Sequence, residues 1–171
     1  MKPGDHPDFF RMPAPAGRSR ESSIVLTRHG RFRHDGEVFG HRGLEQGFAA
    51  WIRRHPDNGR YILSNGYDWC YFGVEDTPFF VTAVRREGER PIIDLFDGSS
   101  EALDAASVTV DADDVLRVRV KGGAYQARFT QPAQRDLMVW LAPEEPIALE
   151  VLGKRYPIVP TPAAVGEAGS G

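Results

Sequence analysis

The sequence predicts an α+β protein built from two related antiparallel β-rich repeats, each with one helix packed on a sheet. Three observations predict it. Short runs with period-two alternation, separated by Gly, Asp and Asn turns, outnumber the stretches with helical periodicity. Two stretches only, after His41 and after Thr130, change to a period near 3.6. The two stretches match, Phe48-Ala49-Ala50-Trp51-Ile52 against Leu137-Met138-Val139-Trp140-Leu141, and each is followed by a hairpin turning at a glycine, Gly66 or Gly153.

Taken in order, residues 1–22 are rich in Pro, Gly and Arg and form an irregular arm. Its Phe9-Phe10 pair is the natural anchor onto the core. The first repeat, 23–96, opens with a hairpin, Ile24 to Arg28 and Arg31 to His34, around His29-Gly30. Asp35-Gly36 then turns the chain into a short strand at Glu37 to Phe39. The helix that follows places Leu44, Phe48, Trp51 and Ile52 on one face, and Pro56 stops it near His55.

Strands at Arg60 to Ser64 and Asp68 to Val74 join across Asn65-Gly66, the pairing expected of a type I′ turn. The corner Glu75-Asp76-Thr77-Pro78 leads to a strand at Phe79 to Arg86, and Gly88 to another at Pro91 to Phe96. The second repeat, 97–159, starts with a loop through Gly98 and one helical turn at Glu101 to Ala105. Strands follow at Val108 to Val110, Leu116 to Val120 and Tyr125 to Phe129. Thr130 caps a helix that tolerates Pro132 in its first turn, and Ile147 to Leu152 with Arg155 to Val159 makes the last hairpin. Residues 160–171 read as a disordered tail.

The chain's 171 residues carry a net charge of -3, with 41 % hydrophobic and 26 % charged residues, the composition of a soluble globular protein. That balance gives no reason to expect nucleic acid as a partner, and no apolar run approaches the length that inserts into a bilayer. The single Cys70 excludes an internal disulfide framework, fits a reducing compartment and points to the cytoplasm.

Ile24-Val25-Leu26-Thr27-Arg28-His29-Gly30 resembles the opening of the histidine phosphatase superfamily. That chemistry needs a second His in the C-terminal half, and no histidine follows His55. A metal site from His29, His34 and His41 matches no standard ligand spacing, and no metal or cofactor is expected.

Two groups of candidate binding residues remain. Arg28, Arg31 and Arg33, near Glu75 and Asp76, are candidates for an anionic ligand or an enzyme acting on one. Tyr67, Trp69 and Tyr71 alternate onto one strand face beside Asp68, open to a partner or covered by the N-terminal arm. No set of residues completes a catalytic constellation, so a binding or regulatory module, with an unknown protein or small molecule as partner, is the leading expectation.

Arg28-His29-Gly30-Arg31-Phe32-Arg33-His34-Asp35-Gly36, the following helix, Gly59-Arg60-Tyr61-Ile62-Leu63 and Val74-Glu75-Asp76-Thr77-Pro78-Phe79 occur in the order found in a bacterial family, domain of unknown function 1285. The second half is similar through Leu116 to Val120, Gly122-Gly123, the Phe129 region and the Gly153 hairpin. The resemblance covers roughly residues 23 to 159, with Val-Glu-Asp-x-Pro-Phe its most specific string. Asn65-Gly66-Tyr67-Asp68-Trp69 departs from it, because family members often carry a Thr-Pro-Val-Glu-like string there. The resemblance implies an α+β fold of two related repeats. The family has no established activity, a signalling role has been suggested for it, and it lends no catalytic residue to this sequence.

Overall fold

The computed structural model describes residues 1–162. Of the expected disordered tail, residues 163–171 lie outside that range. The architecture is α+β, with two short helices, α1 (Arg42–Ala50) and α2 (Gln131–Leu137), among many strands.

The N-terminal hairpin forms as expected. β1 (Val25–Leu26) and β2 (Phe32–His34) pair antiparallel, and β3 (Glu37–Val38) adds beyond the Asp35-Gly36 turn. β7 (Gly73–Val74) joins the other side of β1 in parallel, giving a four-stranded sheet in the order β3-β2-β1-β7.

The helix differs from expectation in length and at one inner-face position, while Phe48, Trp51 and Ile52 pack on the core as read. It ends at Ala50, and Ile52–Arg54 is a strand, β4, pairing with β5 (Tyr61–Ser64). Leu44, expected on the inner face, is 48 % exposed, while Glu45 and Ala49 are buried. The reason is a hydrogen-bonding need. The Glu45 carboxylate accepts from the Phe32 N–H at 3.1 Å and from Arg31 Nε at 3.0 Å, so Glu45 takes the inner position in place of Leu44. A buried N–H left without an acceptor costs about as much as one leucine gains by burial, and the Arg31 bond to the same carboxylate adds to the Glu45 side.

β5 pairs with β6 (Trp69–Tyr71) to complete a three-stranded sheet, β4-β5-β6. The connection is not a two-residue type I′ turn. The last pair is Ser64 with Trp69, and of the two central residues only Gly66 has a positive φ, 86°. Asn65 Oδ1 instead accepts the N–H groups of Tyr67 and Asp68, each at 2.9 Å, and these bonds set a four-residue loop.

The largest sheet has seven strands in the order β10-β9-β8-β13-β12-β11-β16. β8 (Phe79–Glu87) and β9 (Arg90–Leu95) form the hairpin expected around Gly88. The stretch expected to include a helical turn at Glu101 to Ala105 is edge strand β10 (Ser100–Ala102), followed by a 3₁₀ turn at Ala105–Ser107. β11 (Thr109–Val110), β12 (Leu116–Val120) and β13 (Tyr125–Phe129) form the expected meander.

Two pairs in this sheet are parallel, against the antiparallel expectation. β13 runs beside β8, and β16 (Val159–Pro160) beside β11. The β8–β13 pairing joins strands from either side of the boundary expected at residues 96 and 97, so one sheet draws on both halves of the chain. α2 has the predicted cap, Thr130 accepting from the Ala133 N–H, and continues as a 3₁₀ turn through Trp140. The closing hairpin, β14 (Ala148–Val151) with β15 (Lys154–Pro157), turns at Leu152-Gly153.

The main core is continuous across both halves, with Leu26, Phe32, Ile52, Val81, Ile93, Val118, Phe129, Leu137 and Leu149 among its buried side chains. Phe32 sits at its aromatic centre, its ring packed against those of Phe39, Phe48, Phe72 and Phe96.

Candidate ligand-binding cleft

The Val74–Phe79 corner is a structural joint. The Glu75 carboxylate accepts the Arg28 N–H at 3.0 Å, tying the corner to the β1–β2 turn. Asp76 takes a two-pronged bond from Arg117, at 2.7 and 3.0 Å, and a third from Arg128 at 3.0 Å. Arg117 also reaches Asp111 at 3.0 Å. Thr77 is buried and its hydroxyl donates to the Phe79 carbonyl. Burial pushes the Asp76 pKa up, but the bonds from Arg117 and Arg128 outweigh it and hold the group below the usual carboxylate value. Each acidic residue of the string therefore holds one half of the molecule.

The three candidate arginines do not gather. Arg28 and Arg33 are exposed on the hairpin. Arg31 turns inward, its Nε on Glu45 and its Nη2 on the Phe39 carbonyl at 3.1 Å. With Glu75 and Asp76 committed as above, these five side chains do not share one site.

The aromatic face is covered by the chain's own arm. Trp69 is 6 % exposed, and Phe9 and Phe10 lie on it beside Ile62 and Tyr71. The Trp69 Nε1–H donates to the Phe9 carbonyl at 3.3 Å, and His55 Nε2 meets the Phe10 carbonyl at 2.8 Å. Arg20 fastens the far end. Its guanidinium lies 4.4 Å from the Trp69 ring centre, bonds Asp68 and the Trp69 carbonyl, and donates to the carbonyls of Met12 and Pro13. Tyr67 alone of the aromatic set is well exposed, at 63 %.

Arg20 is thus the anchor of an arm that the sequence marks only as rich in arginine. Arg20→Ala is expected to cost about 1–2 kcal/mol and to raise Trp69 accessibility to acrylamide quenching. Unchanged quenching would show that the arm holds without it.

An open cleft of about 450 Å³ lies between α1 and the face of the seven-stranded sheet. Phe80, Leu95 and Phe96 make its apolar floor, while His29, Arg42, Gln46, Thr82 and Thr130 make its polar rim. Arg31 and Glu45 line it as a neutralised pair. Arg42 and Gln46 are exposed and form no side-chain hydrogen bond or ion pair among the described residues, so they are free to meet a ligand. Gly98 closes one end. Its φ is +87°, and a Cβ there would overlap the Gln46 side chain. Of the candidates named from sequence only Arg31 reaches this cleft. Arg42 and Gln46 were legible as the polar face of a helix, but nothing local shows that this face overlooks a sheet built mostly from residues farther along the chain.

A second polar group sits near the cleft. Lys121 Nζ bonds Asp97 and Ser99 Oγ, each at 2.8 Å, and Ser99 Oγ donates to Asp97 at 2.6 Å. Burial raises the Asp97 pKa, yet Lys121 and Ser99 together hold it below the usual value. Every polar atom named in this triad is already paired, which makes it a clasp between the β9–β10 and β12–β13 turns. Among the described residues no three His, Cys, Asp or Glu side chains gather as a metal site, and no helix is long and apolar enough to cross a membrane.

No family model matches the chain, and no curated protein matches it. Two solved structures do match. A DUF1285 family protein from Silicibacter pomeroyi DSS-3 superposes with a TM-score of 0.64 at 16 % identity, over 87 % of this chain and 91 % of that one. A DUF1285 family protein from Shewanella baltica OS155 gives 0.56 at 14 % identity, over 71 % of this chain and 94 % of that one. These superpositions give the chain a DUF1285-like fold.

Proposed function

We propose that this chain is a non-enzymatic binding module whose ligand is a small anion with an apolar portion, seated in the α1 cleft. One observation carries the reading: the cleft joins an apolar floor to a rim whose single unpaired formal charge, among the described residues, is the Arg42 guanidinium. A volume of about 450 Å³ falls in the range of small-molecule sites. Glu45 cancels Arg31, so the remaining charge selects for an anion, and Gln46 and the two threonines supply orienting hydrogen bonds. A regulatory, signalling role fits binding without chemistry, and the single Cys70 supports a cytoplasmic setting. The helix-then-hairpin order in both halves supports descent from two related repeats.

The test is a thermal-shift screen with inorganic phosphate, citrate and benzoate. Saturation at a hundred times Kd adds about 2.7 kcal/mol, which for a chain of this size reads as several degrees. Arg42→Glu is expected to abolish the shift and to leave the unliganded Tm nearly unchanged, because the side chain is exposed and unpaired. A shift that survives Arg42→Glu, or none with any probe, overturns the reading.

A further inference from the structure

The docked arm leaves a recess on each of its flanks, of about 250 and 750 Å³. The two share Trp51 and Asn65, so they adjoin across those side chains and form a broken passage beside the arm. The passage is basic. Lys2, Arg53 and Arg54 line the larger recess against the carboxylate of Asp5. Arg18 and Arg20 line the smaller against Asp68, which Arg20 already engages. Lys2, Arg18, Arg53 and Arg54 have no ion pair among the described residues. Such a concentration of unpaired cations stands out in a chain whose net charge is -3.

We infer that this passage is a docking surface for an acidic polypeptide segment in extended conformation, lying along the arm with an apolar side chain against Trp51. Charge complementarity names the partner's chemistry. The size of the patch separates peptide from polyanion. Four unpaired cations match a few carboxylates, whereas a nucleic acid long enough to gain from counterion release runs on over a surface of net negative charge. The half-buried Trp51 ring gives an apolar contact between the two charged recesses, and an aromatic anchor inside a polar rim is the usual composition of a peptide-binding hot spot. The surface is separate from the α1 cleft and does not depend on its ligand.

The experiment is fluorescence anisotropy of a fluorescein-labelled peptide of six glutamates around one central leucine with the full chain, at low and at raised salt. A ten-residue oligo-dT and vesicles containing phosphatidylserine are run in parallel. Wild type is expected to bind the peptide, more weakly as salt rises. Arg18→Glu with Arg53→Glu, one exposed residue from each recess, is expected to weaken it at least tenfold, while Arg42→Glu leaves it unchanged. If the double variant melts early, Lys2→Glu, on the exposed arm, provides the same comparison. No binding by wild type, equal binding by the charge-reversed protein, or tighter binding of the oligonucleotide or vesicles overturns the inference.

Discussion

Trp140→Ala is expected to lower the free energy of unfolding by about 3–5 kcal/mol, and Trp51→Ala by only about 1–2. The sequence places the two tryptophans at matching positions in two helices and predicts equal losses. The structure separates them. Trp140 is 6 % exposed, sits in the main core and has the Arg86 guanidinium 4.2 Å from its ring centre. Its removal opens a cavity between the end of α2 and β8 that neighbours in regular structure cannot collapse to fill. Trp51 lies just beyond the last turn of α1, half-buried, with one edge against Phe48 and open recesses on either side. Truncating it removes less buried area and leaves no sealed void. Urea denaturation of both variants, with m-values compared to confirm that the transition stays two-state, measures the difference. Equal losses would mean that the recesses flanking the arm are closed in solution.

The same contrast shows which features are legible locally. Hairpins at Asp35-Gly36, Gly88 and Gly153 need only the residues at the turn and the alternation beside it, and all three form as read. The Thr130 cap is equally local. On the inner face of α1 only Leu44 departs from the reading, because Leu44 is a better core residue than Glu45 on any hydropathy scale. The partner that reverses the choice is the Phe32 N–H, on a strand packed against the helix. The Asn65-Gly66 pair departs from a type I′ turn for a related reason, since Asn65 spends its side-chain oxygen on Tyr67 and Asp68 and so lengthens the loop.

Nonlocal pairing is harder still. β8 and β13 align in parallel across some fifty residues, and no pattern within either strand specifies its neighbour. The cleft inherits this difficulty. Its rim comes from α1, the β1–β2 turn, β8 and the N-cap of α2, its floor from β8 and the end of β9, and its residues become a group only once the seven-stranded sheet exists.

Asp76→Ala is expected to cost about 2–3 kcal/mol, somewhat under the range for a fully buried ion pair because water reaches part of the network. Asp76 and Arg117 have side-chain exposures of 20 % and 13 %. Truncation leaves Arg128 without its ion-pair partner and Arg117 with Asp111 alone. Asp76 lies two residues beyond β7, which pairs with β1, while Arg117 and Arg128 lie on β12 and β13. The loss therefore falls on the contact between the four-stranded and seven-stranded sheets. The network also sets a pH dependence of definite sign. Because the folded-state pKa of Asp76 is held below its ordinary value of 3.8, the carboxylate contributes its full stabilisation above that value. The contribution is lost as pH falls below it toward the depressed folded pKa. Wild type is thus expected to lose stability on acidification below about pH 4, and Asp76→Asn, which cannot titrate, to start lower and fall less steeply. Urea midpoints collected from pH 6 down to pH 3 resolve the two curves. Parallel curves would show that Asp76 binds protons equally in the folded and unfolded chain, and that the corner joins the sheets through Thr77 and Phe79 packing alone.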